Sequence, residues 1–109
     1  MRLLEYTVAV VQAAAASQAL AQAVPDAKDA QTLSDKYFCS ACHANDRTMV
    51  GPGFKQIADK YRDDPNAAAL LADKVKKGGQ GVWGNVPMPP NPTIGDDELR
   101  RVLAWILSL

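Results

Sequence analysis

Both cysteines and the single histidine of this 109-residue chain fall within five consecutive positions, Cys39-Ser40-Ala41-Cys42-His43. Two thiols at this spacing can each form a thioether to one of the two vinyl groups on a porphyrin edge. A histidine directly after the second thiol then falls under the iron as an axial ligand. C-x-x-C-H is accordingly the attachment pattern for c-type haem. Two other chemistries use some of the same residues. C-x-x-C alone suits thiol–disulfide exchange, but that reading wants a strand before the motif and a βαβ pattern around it. Cys39, Cys42 and His43 would also give three adjacent zinc ligands, with no partner set elsewhere in the chain.

If His43 takes one side of an iron, the other side is open or is filled by a different residue type, because no second histidine exists. The methionines are Met1, Met49 and Met88. Met49 lies six residues from His43, and six residues span at most ~20 Å fully extended, so the path round a macrocycle has no slack. Met88 has 45 residues in which to come round (88 − 43). It sits in Val86-Pro87-Met88-Pro89-Pro90-Asn91-Pro92, a run whose prolines limit the entropy lost when the loop is ordered. A lone methionine more often fills a core, but one flanked by prolines has no evident packing task. Met88 is therefore the expected second ligand. With both sides filled, the iron has no place for oxygen, peroxide or substrate and can only change oxidation state. An open iron would instead make the protein a peroxidase-like enzyme or a sensor.

The elements that must position these groups read as helices. Leu33, Tyr37, Phe38 and Ala41 recur at helical spacing, so Asp29 to Ala44 is expected to be an amphipathic first helix ending in the pentad. Gly51-Pro52-Gly53 makes a loop. Phe54 to about Tyr61 is a short helix burying Phe54, Ile57 and Tyr61. Asp64-Pro65 opens a third helix that runs to Lys77 with Leu70, Leu71 and Val75 inward, and Gly78-Gly79 ends it. Lys74, Lys76 and Lys77 complement the dipole of its last turn, as a solvated end or a docking patch. Gln80 to Ile94 is expected to be a stiff loop, since its prolines exclude helix and central strand. The last helix spans about Asp96 to Ser108, with Leu99, Val102, Leu103 and Ile106 on one face. No segment alternates regularly enough for a strand, so the fold class is all-α, about four helices.

Residues 1–23 have the layout of a secretory signal peptide. Arg2 precedes an apolar run from Val8 to Ala16, and small-x-small sites place cleavage after Ala21 or Ala23. Glu5 weakens the positive start, and Gln12, Ser17 and Gln18 argue against a retained span, which wants about 20 apolar residues. The alternative is an alanine-rich helix of the mature protein. Residues 24–109 form one domain small enough to benefit from a cofactor at its core. With 12 basic and 12 acidic residues, nothing in the net charge points to nucleic acid or an anionic membrane.

Taken together, Cys39-Ser40-Ala41-Cys42-His43, Met49-Val50-Gly51-Pro52 and Gln80-Gly81-Val82-Trp83-Gly84-Asn85-Val86-Pro87-Met88-Pro89-Pro90-Asn91 resemble the small bacterial class I cytochromes c of the cytochrome c-551 type. The likeness covers about residues 28–109, and the Trp-Gly-x-x-Pro-Met-Pro-Pro run is its most specific part. It implies four helices wrapped around one haem c attached through Cys39 and Cys42, with His43 and Met88 as axial ligands. It implies that the Pro52 carbonyl orients the His43 ring, which is also expected physically. By the same resemblance Trp83 reaches a haem propionate, and Asn91 hydrogen-bonds near the methionine sulfur. Lys74 stands where relatives can carry an arginine near a propionate, giving up a bidentate grip. Gly95 stands where a hydroxyl would cap the last helix and complete a capping box with Glu98.

The implied function is a periplasmic, monomeric one-electron carrier, not an enzyme, since haem is joined to such proteins outside the bacterial cytoplasmic membrane. Its implied partners are redox proteins: a haem-containing nitrite reductase, a terminal oxidase, a cytochrome c peroxidase or an upstream cytochrome complex. A near-neutral surface favours docking through an apolar patch, with Val50, Val82 and Val86 as members, and a modest salt dependence.

Overall fold

The computed structural model describes residues 25–109. The expected leader, residues 1–23, lies outside the described residues. Among the described residues there are four α-helices: α1 (Ala27–Lys36), α2 (Phe54–Tyr61), α3 (Ala67–Lys77) and α4 (Asp96–Leu107). A 3₁₀ turn, Cys39–Ala41, follows α1, and a two-stranded antiparallel hairpin of β1 (Gly79–Gly81) and β2 (Gly84–Met88) follows α3.

The C-terminal helix organises the packing, because α1, α2 and α3 all contact it. Its face of Leu99, Val102, Leu103, Trp105 and Ile106 is buried, and Ile94 just before it is wholly enclosed. Ala30 and Leu33 of α1, Phe54 and Tyr61 of α2, and Ala67 and Leu71 of α3 complete one core. Among the described residues, no helix is long and apolar enough to cross a membrane.

Several boundaries differ from the sequence expectation, each for a local reason. The first helix stops at Lys36 rather than running through the haem motif, because Phe38 takes a left-handed backbone, φ 63°. Its start is capped by Asp26, whose carboxylate accepts from the amides of Lys28 and Asp29 at 3.0 and 3.1 Å. The bend also throws Phe38 outward, leaving it 78% exposed despite its helical spacing from Leu33. The third helix starts two residues late, because Asp64 spends its side chain on the Asn66 amide (2.8 Å) in a turn. Leu70 is exposed, since the stripe facing α4 is set by Ala67 and Leu71. Gly78 does end that helix, with φ +72°.

The loop expected at Gln80–Ile94 is partly a hairpin. Val82 and Trp83 form its tight turn, and the flanking Gly81 and Gly84 have φ of +103° and +109°. Pro87 is accommodated inside β2 because a ladder of two strands is all edge.

Gly95 caps α4 without a side chain, as expected. Glu98, lacking a capping-box partner, is used elsewhere: it accepts from the Tyr37 hydroxyl at 2.5 Å and pairs with Lys36 at 3.4 Å. The Tyr37 hydroxyl first, and Lys36 after it, hold the Glu98 carboxyl below the ordinary carboxylate range, against the burial that raises it. Arg101, bound to Asp29, adds weakly to the same effect. A carboxyl whose value is lower in the folded than in the unfolded state stabilises the fold above its unfolded value. That contribution disappears as pH falls through the folded value. Glu98→Gln is therefore predicted to melt below wild type at neutral pH, with the gap closing in acid. A gap that stays constant with pH would show that Glu98 acts by packing alone. The check is the thermal midpoint of the holoprotein measured against pH.

Candidate functional site

The helices and the hairpin enclose a cavity of about 620 Å³, within the usual range for a small-molecule or cofactor pocket. Its floor is apolar, with Leu71, Val102, Leu103 and Ile106 among the lining residues. Cys39, Cys42, His43 and Pro52 line it from the segment between α1 and α2, and Trp83, Met88 and Asn91 from the hairpin and the loop after it. All seven residues singled out in the sequence thus meet at one cavity. Met49 does not line it and is about half exposed.

Cys39 begins the 3₁₀ turn, and its carbonyl accepts from the amides of Cys42 (3.2 Å) and His43 (3.0 Å), which folds the pentad back on itself. Burial pushes the Cys39 thiol above the ordinary cysteine range. The Ser34 hydroxyl, wholly buried without a well-formed hydrogen bond, lies beside it and pulls the other way. A catalytic C-x-x-C needs a thiolate favoured by its surroundings. The Cys39 environment does the reverse, and no βαβ unit stands among the described residues. No further zinc ligands gather there either: among the described residues no three His, Cys, Asp or Glu side chains form a metal-holding group.

His43 is held from several directions. Its Nδ1 lies 2.6 Å from the Pro52 carbonyl oxygen, an acceptor only, so Nδ1 carries the proton and donates it. In the neutral ring that leaves Nε2 as the nitrogen with a free lone pair, the form a metal ligand requires. The Phe54 ring stacks on the imidazole, with centroids 5.3 Å apart and planes inclined by 18°. Trp105 meets Phe54 edge-on at 5.7 Å. Gly51 approaches closely enough that a Cβ there would lie 2.9 Å from Cε1, 3.2 Å from Nδ1 and 3.4 Å from Nε2. Three such similar distances place that position over the face of the ring. Phe54, Trp105 and Gly51 were not assigned to the site from sequence. The glycine in Val50-Gly51-Pro52 reads there only as a loop former.

On the methionine side, Asn91 donates its amide to the Tyr37 carbonyl (3.0 Å) and accepts from the Thr93 hydroxyl (3.1 Å). It thereby ties the Met88 loop to the residues just before Cys39. Trp83 is 46% exposed, with the Lys60 ammonium 5.9 Å from its ring centroid. Lys74 lines the cavity and, among the described residues, forms no ion pair. Its neighbours Lys76 and Lys77 pair with Asp96 and Asp73.

Two thiols, an imidazole with one nitrogen free, a thioether and an apolar enclosure fit haem c by chemistry and by size. The family model for cytochrome c matches residues 27–109. The chain belongs to the cytochrome c family. It is 46% identical over 82 residues to cytochrome c-551 of Pseudomonas aeruginosa, spanning 75% of this chain and 78% of that protein. It is 47% identical over 77 residues to cytochrome c-552 of Nitrosomonas europaea, spanning 71% and 75%. The crystal structure of wild-type Nitrosomonas europaea cytochrome c552 superposes with a TM-score of 0.70 at 46% identity, covering 72% of this chain and 98% of that one. This cytochrome is thus a small class I electron carrier and not an enzyme. Its cofactor is covalently attached haem c, and Cys39 and Cys42 supply the CxxC pattern.

Proposed function

We propose that this cytochrome is a periplasmic one-electron carrier whose haem is bound through Cys39 and Cys42 and ligated by His43 and Met88. One observation carries the reading: His43, its Nδ1 proton given to Pro52, and Met88 line the same cavity, whereas Met49 does not. The haem supplies an iron that cycles between two oxidation states. Every other task falls to the chain. Pro52 sets the imidazole's tautomer and direction. Apolar residues of α3 and α4 exclude water and favour the less charged ferrous state. Trp83 and Lys74, at the cavity with polar groups free to donate, are suited to receive the propionates. Asn91 holds the methionine loop in place, and one of its two amide protons stays available for the sulfur.

Partner docking is assigned to the rim of the cavity. Val50, Val82 and Val86 all line it and are 56%, 48% and 62% exposed. A chain with equal numbers of acidic and basic residues would recognise respiratory or denitrification redox partners there by apolar contact, with little electrostatic steering. Residues 1–23 serve as the export signal on this reading, and the mature domain acts as a monomer.

The absorption spectrum tests the ligand set. The ferric protein is predicted to show the weak near-infrared band of methionine-to-iron ligation, and the ferrous protein not to bind carbon monoxide. Absence of the band together with ready carbon monoxide binding would favour the peroxidase-like or sensor alternative.

A further inference from the structure

The C-terminal turn of α3 lies directly under the Met88 loop. At Gly78 the backbone has φ +72° and ψ −173°, a region open essentially to glycine alone. A Cβ added there would collide with the Met88 carbonyl oxygen and would sit 2.8 Å from Pro90 N and 3.0 Å from the Pro89 carbonyl carbon. These are backbone atoms of a segment stiffened by Pro87, Pro89 and Pro90, so they cannot swing aside as a side chain would. Two hydrogen bonds from the same turn reinforce the contact. The Asn91 backbone N–H donates to the Val75 carbonyl at 2.8 Å, and the Lys76 ammonium donates to the Ile94 carbonyl at 2.7 Å while pairing with Asp96 at 2.9 Å. The loop from Met88 to Ile94 is thus fastened to one helix end at three points.

A glycine after a helix normally reads as a helix stop, and a lysine in the last turn as a partner of the dipole. The other positive-φ glycines show what is particular here. Gly81 and Gly84, at φ +103° and +109°, have no atom of the described residues within 4 Å of an added Cβ. Lys77, one residue along from Lys76, pairs among the described residues only with Asp73 on its own helix.

We propose that Gly78 and Lys76 are positioning residues for Met88: the missing side chain of one and the ammonium of the other seat the loop that presents the thioether to the cavity. The inference rests on Met88 being the axial ligand. It implies that disturbing the seat raises the fraction of molecules with the methionine detached. An outside ligand that competes for that position then binds more tightly in proportion.

The test uses ferric holoprotein, the near-infrared band and an imidazole titration. Gly78→Ala is expected to weaken or abolish the band and to tighten imidazole binding at least about tenfold, and Lys76→Met to tighten it roughly threefold. Gly81→Ala, which pays a positive-φ cost in open space, and Lys77→Met should both match wild type. The proposal is overturned if Gly78→Ala and Lys76→Met bind imidazole like their controls while wild type shows the band. If Gly78→Ala does not fold, Lys76→Met against Lys77→Met decides. A wild-type protein without the band would overturn the ligand assignment itself, a separate and distinguishable result.

Discussion

Met88→Ala is expected to leave the haem attached while lowering the reduction potential by on the order of 100–200 mV, a modest part of the ~0.8 V that axial-ligand identity commands. Attachment survives because the thioethers would form at Cys39 and Cys42, whose turn is held by backbone hydrogen bonds from the Cys42 and His43 amides to the Cys39 carbonyl, bonds that do not involve Met88. The potential falls because methionine paired with histidine favours the ferrous state. For a one-electron couple, ~59 mV is a tenfold change in equilibrium constant, so the predicted drop is about two to three decades. Truncation also leaves a gap where a half-buried thioether stood, which water, imidazole or carbon monoxide can enter. Redox titration and carbon monoxide binding check both parts. An unchanged potential would move the ligand role elsewhere. Met49 would then have to leave its half-exposed position and round the loop that Gly51 and Pro52 pin against His43.

That loop shows why the residues proposed to hold the haem were legible and their supports were not. Cys39, Cys42, His43 and Met88 stand out through residue type and spacing, because the thioether formation and axial ligation proposed for them would leave few alternatives at those positions. What holds them depends on backbone geometry, which side-chain patterns record poorly. Phe38 keeps the apolar period of a helix yet occupies a left-handed conformation, so the pattern runs on where the helix does not. The prolines around Met88 correctly exclude helix and central strand, but a two-residue turn between Gly81 and Gly84 still lets an all-edge hairpin form. Glu98 is readable as a first-turn acid, whereas its bond to Tyr37, 61 residues away, is a tertiary fact. Gly51 and Gly78 look like any loop glycines. Their roles come from what stands opposite them, the His43 ring in one case and the Met88 backbone in the other. Trp105, by contrast, is legible as a buried residue, since it shares the period of Val102 and Ile106.

Trp105 carries the largest expected loss of stability. It is 6% exposed on α4, and it meets Phe54 edge-on with planes at 79°, while Phe54 in turn backs the His43 imidazole. Trp105→Ala removes the indole and leaves a cavity bounded by helices that cannot fully collapse, a loss of about 3–5 kcal/mol. For a domain of this size that corresponds to a fall in thermal midpoint of roughly 15–30 °C. Leu70→Ala, on the exposed side of α3, should cost no more than about 0.5 kcal/mol and serves as the comparison. The ring pair itself is separable: a cycle of Trp105→Ala, Phe54→Leu and the double variant should give a coupling of about 0.5–1.5 kcal/mol. Zero coupling would mean the two rings contribute only the surface each buries. The potential of the folded Trp105→Ala protein should stay within about 30 mV of wild type, half of a tenfold change. His43 keeps its direction from the Pro52 carbonyl and Gly51 even when the rings behind it loosen. A large shift in both midpoint and potential would instead make the aromatic stack, rather than the carbonyl, the group that fixes the imidazole.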